Sequence, residues 1–180
     1  MRKVILNLAV TLDGYIEGPN GEIDWCVMEE DMQFDDFLDN VDTLFYGRVS
    51  YDAWGNYQPS DDASPSEKSL WMNVHSKTKY VFSSQKRREH NVTYIADDIA
   101  AEVMKIKKME GKDIWLYGGA SLIRTFISHG LIDKYIIALH PVVLGSGKSL
   151  FEALKDRLEL KLSDTRVFKS GVIELSYIPA

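Results

Sequence analysis

Apolar residues recur along this chain in two alternating patterns: short unbroken runs, and one-sided stripes at helical spacing. Residues 2 to 10, Thr43 to Tyr46, Lys79 to Phe82, Val92 to Ile95, Asp113 to Tyr117 and Tyr135 to His140 are runs short enough for buried strands. Between them, Phe34, Phe37, Leu38 and Val41 stand at i, i+3, i+4 and i+7, which predicts a helix between Glu29 and Val41. Ile99, Val103, Ile106 and Met109 mark a second, opened by Asp97-Asp98 and stopped by Gly111. The i, i+4 pairs Leu122/Phe126 and Ile123/Ile127 mark a third, closed by Gly130. Glu67 to His75 fits a further helix, and Val49 to Trp54 a helix or a turn. Leu158 to Phe168 and Val172 to Ile178 flank Ser170-Gly171 as an antiparallel hairpin. Strand alternating with helix, then a hairpin, predicts an α/β domain of three layers: a central mixed, mostly parallel sheet flanked by helices, with the hairpin at its C-terminal end.

Composition narrows the partners. The 180 residues suffice for one domain with a full core, and the polar stretch from Asn56 to Ser66 reads as a surface loop rather than a linker. No apolar run approaches the roughly 18 residues of a membrane span. The apolar start at Met1-Arg2-Lys3-Val4-Ile5 lacks the length and cleavage site of a signal peptide, so it reads as a first buried strand. A net charge of −6 argues against nucleic acid or an anionic membrane as partner. A single cysteine, Cys26, excludes a disulfide framework and multi-thiolate metal sites, and suits a reducing cytoplasm. His75, His90 and His129 have no ligand spacing, so no metal is expected.

Candidate chemistry begins at Asp113-Ile114-Trp115-Leu116-Tyr117-Gly118-Gly119-Ala120-Ser121-Leu122. A strand runs through two glycines into a helix, which brings unpaired N–H groups and the positive end of the helix dipole close to any anion. Such a turn is also ordinary geometry, and its company decides. Gly47-Arg48, with Ser50 just beyond, and Ser83-Ser84 likewise follow predicted strands. Ligands of open α/β sheets bind beyond the carboxyl ends of strands, so the three turns predict one crevice able to hold a dinucleotide. Lys86-Arg87-Arg88 is either a solvated turn or a site for a 2′-phosphate; the latter favours NADP over NAD.

Gly47-Arg48-Val49-Ser50-Tyr51, Ser83-Ser84 and Gly118-Gly119-Ala120-Ser121, in this order, resemble the three NADPH-contacting segments of the dihydrofolate reductase superfamily. Thr11-Leu12-Asp13-Gly14 and His140-Pro141-Val142-Val143-Leu144-Gly145-Ser146-Gly147 are similar to the RibD C-terminal domain, the reductase part of the bifunctional riboflavin-biosynthesis protein. The resemblance implies a dihydrofolate reductase-like fold, a homodimer and NADPH as cofactor. It also implies a reductase delivering hydride to a C=N or C=O bond of a small heterocycle, pterin-like or an aminouracil riboside phosphate. The zinc deaminase half of the riboflavin protein has no counterpart in a chain with one cysteine. Gly47-Arg48 is more folate-reductase-like, whereas Gly145-Ser146-Gly147-Lys148 is foreign to folate reductases. The chain therefore resembles stand-alone reductase-like members of the superfamily. A non-catalytic nucleotide-binding or interaction protein that keeps the fold without turnover is the other class.

On the substrate side the candidates are Asp31 and Asp13. Folate reductases hold their pterin with a carboxylate on the first helix; Asp31 lies roughly 70° from the apolar stripe, with Glu30 nearer still. Its alternative is a first-turn acid that stabilises the helix dipole. Asp13 either reaches ligand or forms an Asp-Gly turn. Trp25 covers a ring or is simply buried, and Cys26 reads as a buried thiol. His140 reads as a hydrogen-bonded structural residue. Lys148 with the backbone of Gly145 to Gly147 would receive an anionic group such as a ribose phosphate.

Overall fold

Each apolar run forms a strand whose alternate side chains enter opposite layers, because successive side chains of a strand point to opposite faces. The computed structural model describes residues 1–29, 32–85 and 87–180. In chain order these form β1 (Val4–Thr11), β2 (Tyr15–Glu17), α1 (Phe34–Asp39), β3 (Val41–Gly47), α2 (Arg48–Ser50), a π-helical turn (Tyr51–Gly55) and α3 (Pro65–Ser76). Then come β4 (Thr78–Phe82), β5 (Val92–Ile95), α4 (Ile99–Lys108), β6 (Asp113–Gly118), α5 (Ala120–Ser128), β7 (Lys134–His140), β8 (Lys148–Ser149), β9 (Leu160–Val167) and β10 (Ile173–Pro179).

Eight strands make one sheet in the order β5-β4-β3-β6-β1-β7-β10-β9. The pairs from β5 through β7 are parallel, while β10 runs antiparallel to both β7 and β9. Val4, Leu6, Phe45 and Leu116 enter a core with Val103 and Ile106 of α4 and Ile123 and Phe126 of α5. Their neighbours Leu44, Tyr46 and Trp115 face the other way, onto Leu38 of α1 and Val74 of α3. The expected three layers follow from this two-sided burial. Among the described residues no helix is long and apolar enough to cross a membrane.

Two helices differ from their sequence patterns at the ends. The first is confined to Phe34–Asp39: Gln33 precedes it in the left-handed region at φ 53°, and Asn40 caps its end. Val41, the last residue of the apolar stripe, belongs instead to β3, where it pairs with Asp113 of β6. Phe34 and Phe37 still meet the Trp115 ring edge-on, each with centroids 5.5 Å away, so the stripe reaches its target without the full helix. Conversely, α3 starts before Glu67, because the Ser64 hydroxyl accepts the Glu67 N–H and Pro65 occupies the first turn. Val49 to Trp54 divides between α2 and the π-turn, which Gly55 permits: a Cβ there would lie 2.1 Å from the Tyr51 ring. A small second sheet, β2 against β8, joins the loop after β1 to the glycine loop after β7.

One buried ion pair ties the layers together. Lys107 of α4, with a side chain 6% exposed, donates to both carboxylate oxygens of Asp133 at 2.9 and 2.7 Å. Asp133 also accepts the Val4 N–H at 2.7 Å, fixing the start of β1. Asp133→Ala strands a buried ammonium and should lower unfolding free energy by about 2 kcal/mol, discounted for the partly exposed carboxylate. Lys107→Met, which removes the buried charge, should cost about half as much. Urea denaturation midpoints of the two variants check the order.

Candidate active site

The ends of β3, β4 and β6 are neighbours by register, since Gly47 pairs with Phe82 and Tyr46 with Gly118. The three turns that follow them therefore open side by side into a cavity of about 900 Å³. Gly47, Arg48 and Ser50 line it from the first turn, and Ser83 and Ser84 from the second. Gly119, Ala120, Ser121 and Leu122 line it from the third. Gly118 is the one member of the expected set that does not line it. Its role is one step back: at φ +104°, with its carbonyl oxygen 3.2 Å from where a Gly47 Cβ would stand, it lets the two strand ends close up.

Gly119 completes the cradle. It has φ +94°, and a Cβ there would stand 2.9 Å from the Ser50 hydroxyl oxygen. It caps α5 without a side chain, and the first backbone bond of the helix runs from the Ile123 N–H to the Gly119 carbonyl. The N–H groups of Ala120, Ser121 and Leu122 thus face a glycine-lined space at the positive end of the helix dipole, a geometry suited to phosphate. The Ser83 hydroxyl is committed to a turn: it accepts the Gln85 N–H at 3.0 Å and donates to the Gln85 carbonyl at 3.1 Å.

Two guanidiniums meet at this end. Arg48 and Arg87 both contact the Asp52 carboxylate, at 2.9 and 2.6 Å, and all three side chains are partly exposed. Arg87, then Arg48, hold the Asp52 carboxyl below the usual carboxylate range. Of the expected basic cluster, Arg87 joins Arg48, Arg88 is exposed, and Lys86 lies outside the described residues. Glu89 accepts hydroxyls from Tyr51 at 2.6 Å and Tyr94 at 2.7 Å, fastening the π-turn to β5. Burial, with Glu89, pushes the Tyr51 phenol up to about 12.

The opposite end has a floor of sheet residues: Asn7 and Ala9 of β1, Trp115 and Tyr117 of β6, Ala138 of β7 and Glu174 of β10. The Trp115 indole N–H donates to the Asn7 carbonyl at 3.0 Å. Burial pushes both the Tyr117 phenol and the Cys26 thiol up, keeping each neutral. Trp25, Cys26, Val27 and Met28 form a wall, and His140 holds it. The Val27 N–H donates to His140 Nε2 at 3.1 Å while His140 Nδ1 lies 2.9 Å from the Ala138 carbonyl, which assigns the neutral Nδ1–H tautomer. The Trp25 ring meets the imidazole edge-on, centroids 5.3 Å apart. His140 is thus the structural residue its setting suggested.

The substrate-side candidates fare differently. Asp31, like Glu30, lies outside the described residues. Asp13 does not line the cavity: its carboxylate accepts the Thr11 hydroxyl at 2.6 Å, the Leu144 N–H at 3.1 Å and the Gly145 N–H at 2.7 Å. Those bonds, Thr11 foremost, hold its carboxyl below the usual carboxylate range and make it the clamp of the glycine loop. Lys148 does reach the cavity, but its ammonium is ion-paired with Glu17 across the β2/β8 pair.

Sequence reasoning passed over Glu174, Trp115 and Tyr117. The signal for Glu174 was its place as a lone acid in the apolar run Val172-Ile173-Glu174-Leu175. Burial pushes its carboxyl up, against the pull of Arg166 and Lys134. Among the described residues no His, Cys, Asp or Glu side chains form a group that could hold a metal ion.

The chain is similar to known proteins over nearly its whole length. The chain is 56% identical over 177 residues to YyaP, an uncharacterized protein of Bacillus subtilis (strain 168), covering 98% of this chain and 94% of that one. It is 35% identical over 184 residues to YwjB of the same organism, covering 99% of each. A candidate riboflavin biosynthesis protein of Shewanella sp. PV-4 shares the fold at TM-score 0.80 and 22% identity, covering 100% of this chain and 99% of that one. Dihydrofolate reductase of Enterococcus faecalis, solved in complex with NADP(H), shares it at TM-score 0.66 and 14% identity, covering 98% and 96%. The model of the RibD C-terminal domain matches residues 2–173, and this chain belongs to that family.

Proposed function

We propose that this protein is an NADPH-dependent reductase that delivers hydride to a C=N or C=O bond of a small heterocycle. The observation that carries the reading is the shape of one cavity: a glycine-lined helix terminus and the Arg48 guanidinium at one end, an aromatic floor at the other. Its volume of about 900 Å³ is at the upper end of small-molecule pockets. That suits a cofactor laid along the cavity with a ring beyond it.

The cofactor supplies the hydride when bound. The chain binds and orients. The N–H groups of Ala120, Ser121 and Leu122, with Gly47, Ser50 and Gly119, receive the pyrophosphate. Arg48 and Arg87 receive the 2′-phosphate in place of Asp52, with the Ser84 hydroxyl beside them. Trp115, Tyr117 and the wall from Trp25 to Met28 exclude water from the far end.

Titration of tryptophan fluorescence with NADPH, followed by NADPH oxidation across pterins, aminouracil ribosides and small carbonyls, tests the reading. A failure to bind NADPH saturably would sink it; binding without oxidation of any of them would favour the non-catalytic class. Arg48→Ala should weaken NADPH by about tenfold and leave NADH unchanged, because only NADPH carries the 2′-phosphate. Gly119→Ala should weaken both nucleotides, by roughly thirtyfold, since its Cβ strains the backbone and fills the cradle. Isothermal titration of the two variants with the two nucleotides separates these effects.

A further inference from the structure

The far end of the cavity has a charge pattern of its own. Among the described residues, the cations that line the cavity are Arg48 and Lys148, and the carboxylates are Glu17 and Glu174. Arg48 stands at the α5 end with Asp52. Lys148 is neutralised by Glu17, and the two belong to paired strands, so the register of the small sheet holds them together. Among the described residues, that leaves Glu174, whose ion-pair partner Arg166 stands outside the cavity, as the carboxylate the far end presents.

Glu174 is well placed for a ligand. It sits on β10 directly opposite Ala138, in the floor, and its side chain is 19% exposed. Among the described residues it is ion-paired with Arg166 of β9 at 3.5 Å, a side chain that also contacts Gln33 at 3.1 Å, covers the Phe168 ring at 5.1 Å and does not line the cavity. Among the described residues, the charged groups around Glu174 are Arg166 and Asp164 from β9 and Lys134 from β7. Beside it, Trp115 and Tyr117 offer aromatic surface and Ala9 and Ala138 offer space. A planar ring lying there would bring its edge to the carboxylate.

We propose that the far end takes an unphosphorylated nitrogen heterocycle, neutral or cationic, whose ring-edge N–H donors are received by the Glu174 carboxylate. The proposal rests on the reading of the α5 end as the cofactor site. A carboxylate accepts two parallel N–H donors from an amidine-like edge much as it accepts them from arginine. A phosphate monoester, with a charge of about −1.5 to −2 at pH 7, would instead meet Glu174 and a lysine already paired. The far end thus selects against the phosphorylated sugar that a ribose phosphate substrate carries.

The test is calorimetric titration of the NADPH-loaded protein with three probes: a 2,4-diaminopyrimidine, a ribosylaminouracil, and the same aminouracil carrying a 5′-phosphate. The diaminopyrimidine should bind saturably and weaken by about tenfold or more in Glu174→Gln. The 5′-phosphate should improve aminouracil binding by less than about twofold. NADPH affinity and the thermal midpoint of Glu174→Gln serve as the check that the variant is folded. Equal diaminopyrimidine affinity in the folded Glu174→Gln variant would overturn the proposal. So would a gain of about tenfold from the phosphate, or no saturable binding of the diaminopyrimidine. If the protein does not bind NADPH, the cofactor reading falls, and the same titrations on the cofactor-free protein still decide the role of Glu174.

Discussion

Between the ends of β3 and β6 there is room for backbone and nothing more. Side chains at Gly47 or Gly119 would press on the Gly118 carbonyl or the Ser50 hydroxyl, at 3.2 and 2.9 Å. Because β3 is bonded to β6 on one side and β4 on the other, that crowding fixes where all three following turns emerge. The open N-terminus of α5, the position of Arg48 and the entry of Ser83-Ser84 into one cavity are consequences of it. The parallel sheet supplies the direction, and the glycines supply the closeness.

The far end is organised by polar groups that the scaffold has already satisfied. His140 gives one ring nitrogen to β7 and the other to the wall at Val27, Asp13 gathers two N–H groups of the glycine loop, and Trp115 spends its N–H on β1. Groups used in this way hold shape and offer a ligand little, since a buried polar group satisfied internally gains nothing from another partner. Glu174 stands apart because it lines the cavity while its ion-pair partner Arg166 does not. Among the described residues, that end sets the Glu174 carboxyl against the aromatic rings of Trp115 and Tyr117.

Most of the sheet was legible in the sequence, because strands buried on both faces are written as unbroken apolar runs. The turns were legible too, since Gly47, Gly118 and Gly119 each answer a local backbone demand. Helix ends were less so: Val41 fits a helical stripe and a strand equally well, and the pairing with Asp113 made the choice. The Ser64 cap was written in plain sight, yet the surrounding Asp, Ser and Pro residues read as loop. Glu174 and Lys148 were beyond reach for a different reason. Their meaning depends on which face of a strand they occupy and on who stands across it, and both facts come from registers between segments more than a hundred residues apart or across a hairpin.

Asp52 gives the cationic rim a thermodynamic character of its own. The two guanidiniums are kept close by a carboxylate that belongs to the chain, so they need no mobile counter-ion to coexist. An anion arriving there displaces a tethered charge that swings into water, where an ordinary basic patch would release salt ions. Little entropy is gained from the exchange, and binding at the rim would depend less steeply on ionic strength than two exposed arginines ordinarily dictate. The entrant must also outbid a carboxylate at close range, which a monoanion does poorly and a dianion well. A cofactor held as proposed would thus be sorted by its charge at this rim.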